Sequence, residues 1–416
     1  MMGLWTRLEL GAVLLVIGLA LFSRLEAVPF DVDESCKIGY SAPFEAFAAG
    51  RFTDPIWQTR EDKYLNPVLT YYVVGAARRI GGYGSDRLNQ PWDFAVSNQE
   101  NARLGRVPEP RLLWWSRAGV TAAACAGVFT LFLLTMRASC RWAALAWLGL
   151  TLTSPFLRTA LRQALNEGVL VAAIALAMWA LYRALQRFDR DAGPGIPWPA
   201  MGWIAAAGLC AGLAAQTKLN GGAAAAGGWL IVMLAGARRQ IPWRSKARDL
   251  LLATIILAAS AAGAFLGTNP SLWPHPPRES LRMVRARVEV MNAQMLQSRR
   301  DAIVGVEDRL RRVPMEVLHT RAAFPGGPLN LVFFIVGAGT SLAELGRWLR
   351  ARDDNHARVV LTAVGAIVSV PGLLTPIGWP RYYVLPVIFS SVQIVFGMEW
   401  LARRAWGALS AARDRR

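Results

Sequence analysis

Long apolar blocks recur from one end of this chain to the other: GAVLLVIGLALF, VTAAACAGVFTLFLL, VLVAAIALAMWALY, LLATIILAASAAGAFLG and LVFFIVGAGTSL are representative. A hydrocarbon core about 30 Å thick is crossed by roughly 17–25 mostly apolar residues in a helix. Helices also satisfy their own backbone hydrogen bonds, which that core demands. Spans are expected near 5–24, 112–136, 142–157, 167–186, 200–216, 220–236, 250–268, 329–346, 359–375 and 383–402. A hydrophobic fraction of 54% and a mean hydropathy of +0.30 point away from an ordinary soluble enzyme. The expected fold is therefore all-α and polytopic, with about ten transmembrane helices. It is read as a single transmembrane domain over 1–416 with no separate soluble domain.

A net charge of +18 raises nucleic acid as a partner, but the distribution of that charge argues against it. Basic residues gather at alternate span ends. They include Arg137 and Arg141; Arg183, Arg187 and Arg190; Arg238, Arg239, Arg244, Lys246 and Arg248; Arg347, Arg350, Arg352 and Arg358; and Arg403, Arg404, Arg413, Arg415 and Arg416. This alternation follows the positive-inside rule and places these loops and both termini in the cytoplasm. The first apolar run lacks a small-residue cleavage site behind it and reads as an uncleaved first helix. Cys36, Cys125, Cys140 and Cys210 show no paired spacing, so neither a disulfide framework nor a cysteine metal site is expected.

Two outer loops are then large, 26–111 and 269–328. The first holds the apolar stretch YLNPVLTYYVVGAA, too short for a span and suited to an interfacial or re-entrant helix. If it crossed, every later arginine cluster would fall on the outer side. The second opens with the irregular GTNPSLWPHPPRES and continues over 279–320 with the spacing of an amphipathic helix lying on a membrane or protein surface. His275 and His319, in or beside that loop, have no further ligand at a recognisable spacing.

Charged groups collect at the outer ends. The segment PFDVDESCKIGY carries Asp31, Asp33 and Glu34; SPFLRTALRQALNEG carries Arg158, Arg162 and Glu167. AAQTKLNGG carries Lys218, and GWPRYYVLP carries Arg381, Tyr382 and Tyr383. Each could snorkel or mark the interface alone. Together, on the less basic face, they indicate a shared polar cavity. Within the first segment, Asp31 and Glu34 have capping-box spacing and Asp33 with Lys37 has i,i+4 spacing. Asp31 is therefore read as a cap, Glu34 as cap or site, and Asp33 as the site carboxylate.

These pieces, in this order, resemble the GT-C glycosyltransferases, in particular the dolichyl-phosphate-mannose protein mannosyltransferases and the aminoarabinose transferases that modify lipid A. The likeness rests on the Asp-Glu pair after the first span, the PVLTYY segment, SPFLRTALRQALNEGVL, GLAAQTKLNGG and RYYVLP, and extends along most of the chain. It implies transfer of a sugar from a polyprenyl-phosphate donor to an acceptor hydroxyl, with inversion, on the outer face. The acceptor class is a lipid, glycan or protein, and the setting a bacterial inner membrane, with membrane lipids as neighbours and no nucleic acid. By the same resemblance Asp33 is the general base and Glu34 holds the acceptor, a nearby group or a metal. Lys218 and Arg381 hold the lipid phosphate, with Lys63, Tyr64, Arg162, Glu167 and Tyr382 as further substrate contacts. A divalent cation is compatible with this scheme, the sequence leaves metal dependence open, and no metal ligand is assigned.

The chain departs from the pattern in KYLNPV, where the family often has paired prolines beside a Lys or His, and in Glu167, where Asp is more usual. The loop 269–328 is too short for the extra sugar-binding module of the eukaryotic protein mannosyltransferases. Two other classes compete: a transporter or flippase of lipid-linked sugars, which would place charges near the midplane, and a non-catalytic membrane assembly subunit, which needs no convergent carboxylates and bases.

Overall fold

A computed structural model of the protein describes residues 4–59, 62–190, 195–239, 241–324, 326–350 and 354–413. Helix α1 (Leu4–Phe22) leads into a segment of short helices: α2 (Val32–Gly39), α3 (Pro43–Ala48), α4 (Ile56–Thr59), α5 (Leu69–Ile80) and α6 (Asn98–Arg103). Then follow α7 (Pro110–Ala138), α8 (Arg141–Thr153), α9 (Pro155–Arg162), α10 (Asn166–Arg190), α11 (Trp198–Thr217), α12 (Ala223–Arg238) and α13 (Trp243–Gly267). A second irregular segment carries α14 (Pro276–Gln297) and α15 (Gly305–Met315), and the chain closes with α16 (Pro328–Leu349), α17 (His356–Leu373) and α18 (Val384–Arg413). No strand forms among the described residues beyond one isolated antiparallel bridge between Ala302 and Ile377. The protein is an all-helical, polytopic membrane protein, and among the described residues eight stretches, in α7, α10–α13 and α16–α18, are long and apolar enough to cross.

Burial separates the inner helices from the outer ones. The apolar window of α10 is 83% buried, whereas those of α13 and α16 are 17% buried and present their Leu, Ile and Val outward. Lipid tails are as apolar as these side chains, so association between spans rests on close packing. At Gly337 of α16 and Gly397 of α18 the two backbones meet directly. A methyl at either position would run into the facing carbonyl of Gln393 or Phe333.

One expected span is broken. The segment read as a single helix over 142–157 is α8 followed by α9, because Pro155 supplies no N–H and holds Ser154 extended. Ser154 Oγ instead caps α9, accepting from Leu157 N–H at 3.3 Å. The pair still runs the length of α1. Arg141 Nη1 meets Glu9 Oε1 at 3.1 Å near one end. At the other, Arg162 donates to the Ser23 and Arg24 carbonyls and Gln163 Nε2 to the Pro29 carbonyl at 3.1 Å.

The first loop behaves as its short apolar stretch suggested. Helix α5 has 12 residues, about 18 Å of rise, too little to cross. It packs on α7 with Arg78 buried against Ser41, Glu45 and the Tyr83 carbonyl. The second loop differs from expectation. The amphipathic stretch over 279–320 is two helices, α14 and α15, separated at 298–304. That break is stitched to the segment before α18: Ile303 N–H donates to the Pro376 carbonyl and Gly378 N–H to the Asp301 carbonyl, each at 2.8 Å.

The arginine-rich ends gather together. Arg238 meets Asp354 at 2.8 Å, Asn355 Nδ2 donates to the Ala138 carbonyl at 2.8 Å, and Ser139 donates to Glu399. Trp142, Trp198 and Trp243 are about three-quarters exposed at the starts of α8, α11 and α13, and Trp406 is equally exposed near the end of α18, as an interfacial belt requires. In a cysteine-free background, single cysteines at Trp142, Trp198 and Trp243 are expected to react with an impermeant maleimide from one side of a sealed vesicle. A cysteine at Leu296 in α14 is expected to react only from the other. Labelling of Trp142→Cys and Leu296→Cys from the same side would contradict the crossing by α8 and α9.

Candidate active site

Helix α2 sets the site by turning adjacent residues in different directions. Its start is a capping box: Asp31 Oδ1 accepts from Asp33 N–H at 2.9 Å, and Glu34 Oε2 accepts from Asp31 N–H at 3.0 Å. Glu34 is fully buried and forked onto Arg117 of α7, with Nε to Oε1 at 2.8 Å and Nη2 to Oε2 at 2.7 Å. Ala164 N–H also donates to Oε1, at 2.7 Å. The remaining Arg117 donors reach the carbonyls of Leu25, Val28 and Pro29. Glu34 thus ties α1, α2, α7 and the segment leading into α10 together, and it lines neither of the two chambers below.

Helical spacing turns the other face of α2 toward a chamber of about 510 Å³, lined by Asp33, Cys36, Lys37 and Tyr40 at i, i+3, i+4 and i+7. Lys218, Arg287, Asp62 and Glu167 also line it. A second chamber of about 970 Å³ runs along α9, with Phe156, Thr159, Gln163, Gln297, Arg321 and Trp379 in its walls. The chambers meet at Asp33, Leu165, Glu167, Val290, Gln294 and Arg381, which line both. Asp33 is ion-paired with Arg381 at that junction, and its side chain keeps 23% of its surface exposed. The i,i+4 pair with Lys37 is replaced: Lys37 Nζ donates to Asn66 Oδ1 at 3.0 Å and lies 4.8 Å from the Tyr71 ring centre.

Of the residues expected at the site, Asp33, Glu167, Lys218, Arg381 and Tyr382 converge. Lys218 Nζ lies 3.2 Å from Glu167 Oε1 and over the Tyr382 ring, and Arg287 Nη2 donates to the Tyr382 hydroxyl at 2.9 Å. Four others do not join them. Glu34 is the buried tie described above. Lys63 is half-buried and donates to the Gln58 carbonyl at 2.7 Å. Tyr64 donates to Glu279 Oε2 at 2.5 Å, fastening the first turn of α14 to the first loop; this bond holds the Glu279 carboxyl below its ordinary range against a smaller opposing effect of burial. Arg162 spends its guanidinium on the backbone that ends α1, where Arg24 sits in the left-handed region at φ 50°.

Lys37, Arg287, Asp62 and Trp379 are additions. Lys37 was discoverable: it lies on the same helical face as Asp33, one turn on. Arg287 lies on an amphipathic helix whose basic residues mostly face outward, and no spacing singles it out. Burial pushes the Lys37 ammonium down to about 8; the nearby Asp62, Glu167 and Cys36 resist that shift, and Arg287 adds to it. Among the described residues no three His, Cys, Asp or Glu side chains form a metal-holding group. His275 and His319 are both exposed.

No family model and no curated protein matches the sequence. Solved structures do match its fold. ArnT from Cupriavidus metallidurans, bound to undecaprenyl phosphate, superimposes with a TM-score of 0.54 at 17% identity, covering 97% of this chain and 62% of that one. The oligosaccharyltransferase AglB from Archaeoglobus fulgidus, in complex with an inhibitory peptide and a dolichol-phosphate, gives 0.51 at 13% identity, covering 99% and 52%. The chain shares its fold with ArnT and AglB, in keeping with the resemblance drawn from its sequence. This chain spans between about half and three-fifths of the length of those two proteins. The shared fold brings the Asp33, Glu167, Lys218 and Arg381 segments, far apart in sequence, to one chamber.

Removing one partner of a buried ion pair leaves an uncompensated charge in a low dielectric. Arg117→Ala and Glu34→Ala are each expected to destabilise the folded protein by ~3–5 kcal/mol, read as unfolding in mixed detergent micelles. Glu34→Gln, neutral and able to keep part of the network, should cost less. Equal stability of wild type and Glu34→Ala would remove the tie.

Proposed function

We propose that the protein is a membrane glycosyltransferase that moves a sugar from a polyprenyl-phosphate donor to an acceptor hydroxyl, with inversion, using Asp33 as general base. The observation that carries this reading is the position of Asp33 at the junction of two chambers, with Lys37, Lys218 and Arg287 lining one of them. The phosphate of the donor sits among those cations and the acceptor enters from the larger chamber. The arginine-rich ends mark the cytoplasmic side by the positive-inside rule, so both termini are cytoplasmic and the site faces outward. We assign it to a bacterial inner membrane, with a lipid, glycan or protein acceptor.

In the reaction the acceptor oxygen attacks the anomeric carbon from the face opposite the phosphate and its proton passes to the Asp33 carboxylate. The bond from the anomeric carbon to the phosphate oxygen breaks, and polyprenyl phosphate leaves with the bonding pair. Inversion requires the base and leaving group on opposite faces of the sugar, which two chambers meeting at Asp33 accommodate. Negative charge grows on the leaving phosphate, and fixed cations in a partly dehydrated cleft stabilise it without reorganisation. Arg381 is ion-paired with Asp33 and lines both chambers. Glu34 acts through position, fixing α2 so that Asp33 faces the junction. Among the described residues no three His, Cys, Asp or Glu side chains gather, and no step above is routed through a divalent cation.

Transfer from a panel of polyprenyl-phosphate sugars, in wild type and Asp33→Asn, tests the base. Loss of a general base is expected to lower kcat by roughly 10²–10⁴-fold; full activity in Asp33→Asn would remove the assignment. Sugar-lipid translocation with no transfer would favour the transporter. Lys37 adds a pH signature. Its ammonium is intact below about 8 and is lost as pH rises through that value, whereas an ordinary lysine stays charged to roughly 10. Donor kcat/KM should therefore fall above about 8 in wild type and keep its value there in Lys37→Arg. The same alkaline fall in Lys37→Arg would exclude Lys37 from phosphate binding.

A further inference from the structure

The smaller chamber is walled in part by three half-buried amide side chains. The side-chain oxygens of Asn166, Asn220 and Gln294 are buried without a hydrogen-bond partner among the described residues, and all three side chains line this chamber. Buried polar groups in native proteins are nearly always paired. Each amide is carried by an element that also supplies a charged group to the chamber. Asn166 precedes Glu167, Asn220 follows Lys218 by two residues, and Gln294 lies two turns beyond Arg287 on α14. The amides and the charged groups therefore come from the same elements and line the same chamber. Whichever way an amide is turned, it offers a hydrogen-bonding atom to a ligand.

The charged groups of this chamber are already occupied. Glu167 meets Lys218 at 3.2 Å, Asp33 pairs with Arg381, and Asp62 accepts from the Tyr71 hydroxyl. Four cationic side chains line it against three anionic ones, Asp33, Asp62 and Glu167. No carboxylate is left over for an incoming ammonium, and the balance is positive until a phosphate enters. What remains is neutral hydrogen-bonding capacity, which suits groups that both donate and accept. Hydroxyls do both.

We infer that Asn166, Asn220 and Gln294 read the donor sugar, and that this sugar is neutral and hydroxyl-rich rather than an amino sugar. The inference rests on the glycosyl-transfer reading above and deepens it by naming the class of group beside the phosphate. A chamber of about 510 Å³ is within the range of small-ligand sites, roughly 300–1,000 Å³. A site whose amides are satisfied only by substrate hydroxyls disfavours a donor lacking them, because the amides then stay unpaired.

The test measures equilibrium binding in lipid nanodiscs with three probes: polyprenyl phosphate, its neutral hexosyl ester, and the 4-amino-4-deoxy counterpart of that ester. Wild type is expected to bind the neutral ester at least about tenfold more tightly than either other probe. Asn220→Ala and Gln294→Ala should reduce the neutral ester to the level of polyprenyl phosphate while leaving polyprenyl phosphate itself unchanged. Asn220→Asp, which adds an unpaired carboxylate, should tighten the amino ester, a gain that misfolding cannot imitate. Equal binding of neutral and amino esters by wild type, or alanine variants that weaken all three probes alike, would overturn the sugar assignment alone. Failure of polyprenyl phosphate to bind, with Lys37→Ala no different from wild type, would overturn the glycosyl-transfer reading beneath it.

Discussion

The bidentate contact between Glu34 and Arg117 is the interaction on which the site depends. Both side chains are withdrawn from water, at 0% and 1% exposure, and such a pair survives only when its other hydrogen-bonding groups are also met. Here they are: two backbone N–H groups reach Glu34, and three carbonyls near the end of α1 accept from Arg117. Because successive residues of an α-helix point about 100° apart, pinning Glu34 inward turns Asp33 to the chambers. The Asp-Glu pair is thus one inward tie and one outward acid.

The same economy of pairing governs the junction. Asp33 with Arg381 and Glu167 with Lys218 hold opposite charges at contact in the absence of substrate, which keeps ionised groups tolerable next to the hydrocarbon. In the proposed reaction, a phosphate arriving among Lys37, Lys218 and Arg287 would compete for those cations. Helix α14 brings Arg287 and Gln294 over the chamber, and its ends are fixed through Tyr64 to Glu279 and through 301–303 to 376–378. The site is therefore assembled from six regions distant in sequence and held by ties that lie outside it.

Much of the fold was legible because lipid imposes simple rules. Apolar length located the spans, and alternation of arginines fixed which ends lie together. The break at Pro155 was in plain view, yet an apolar run across it reads as one span by length alone. Asp31 as a cap, and α5 as a helix that does not cross, follow from local chemistry. The site was legible where a charge sits at a span end beside its partners, as with Asp33, Glu167, Lys218 and Arg381. Lys63, Tyr64 and Arg162 carry suitable chemistry at suitable places in the sequence. Their partners, Gln58, Glu279 and the backbone of Ser23 and Arg24, are set by tertiary contacts that no spacing encodes. Arg287 escaped for the converse reason: on a helix rich in arginine, only packing decides which one turns inward.

The proposed reaction, with Asp33 at the junction of two chambers and the cations gathered in one of them, is a single displacement rather than one through a covalent sugar intermediate. The most direct measurement is the anomeric configuration of the product, read by proton NMR from a donor of known configuration. The account predicts complete inversion. Retention of configuration would contradict it, because the sugar would then have passed through a nucleophile on the protein and Asp33 could not serve as a simple base.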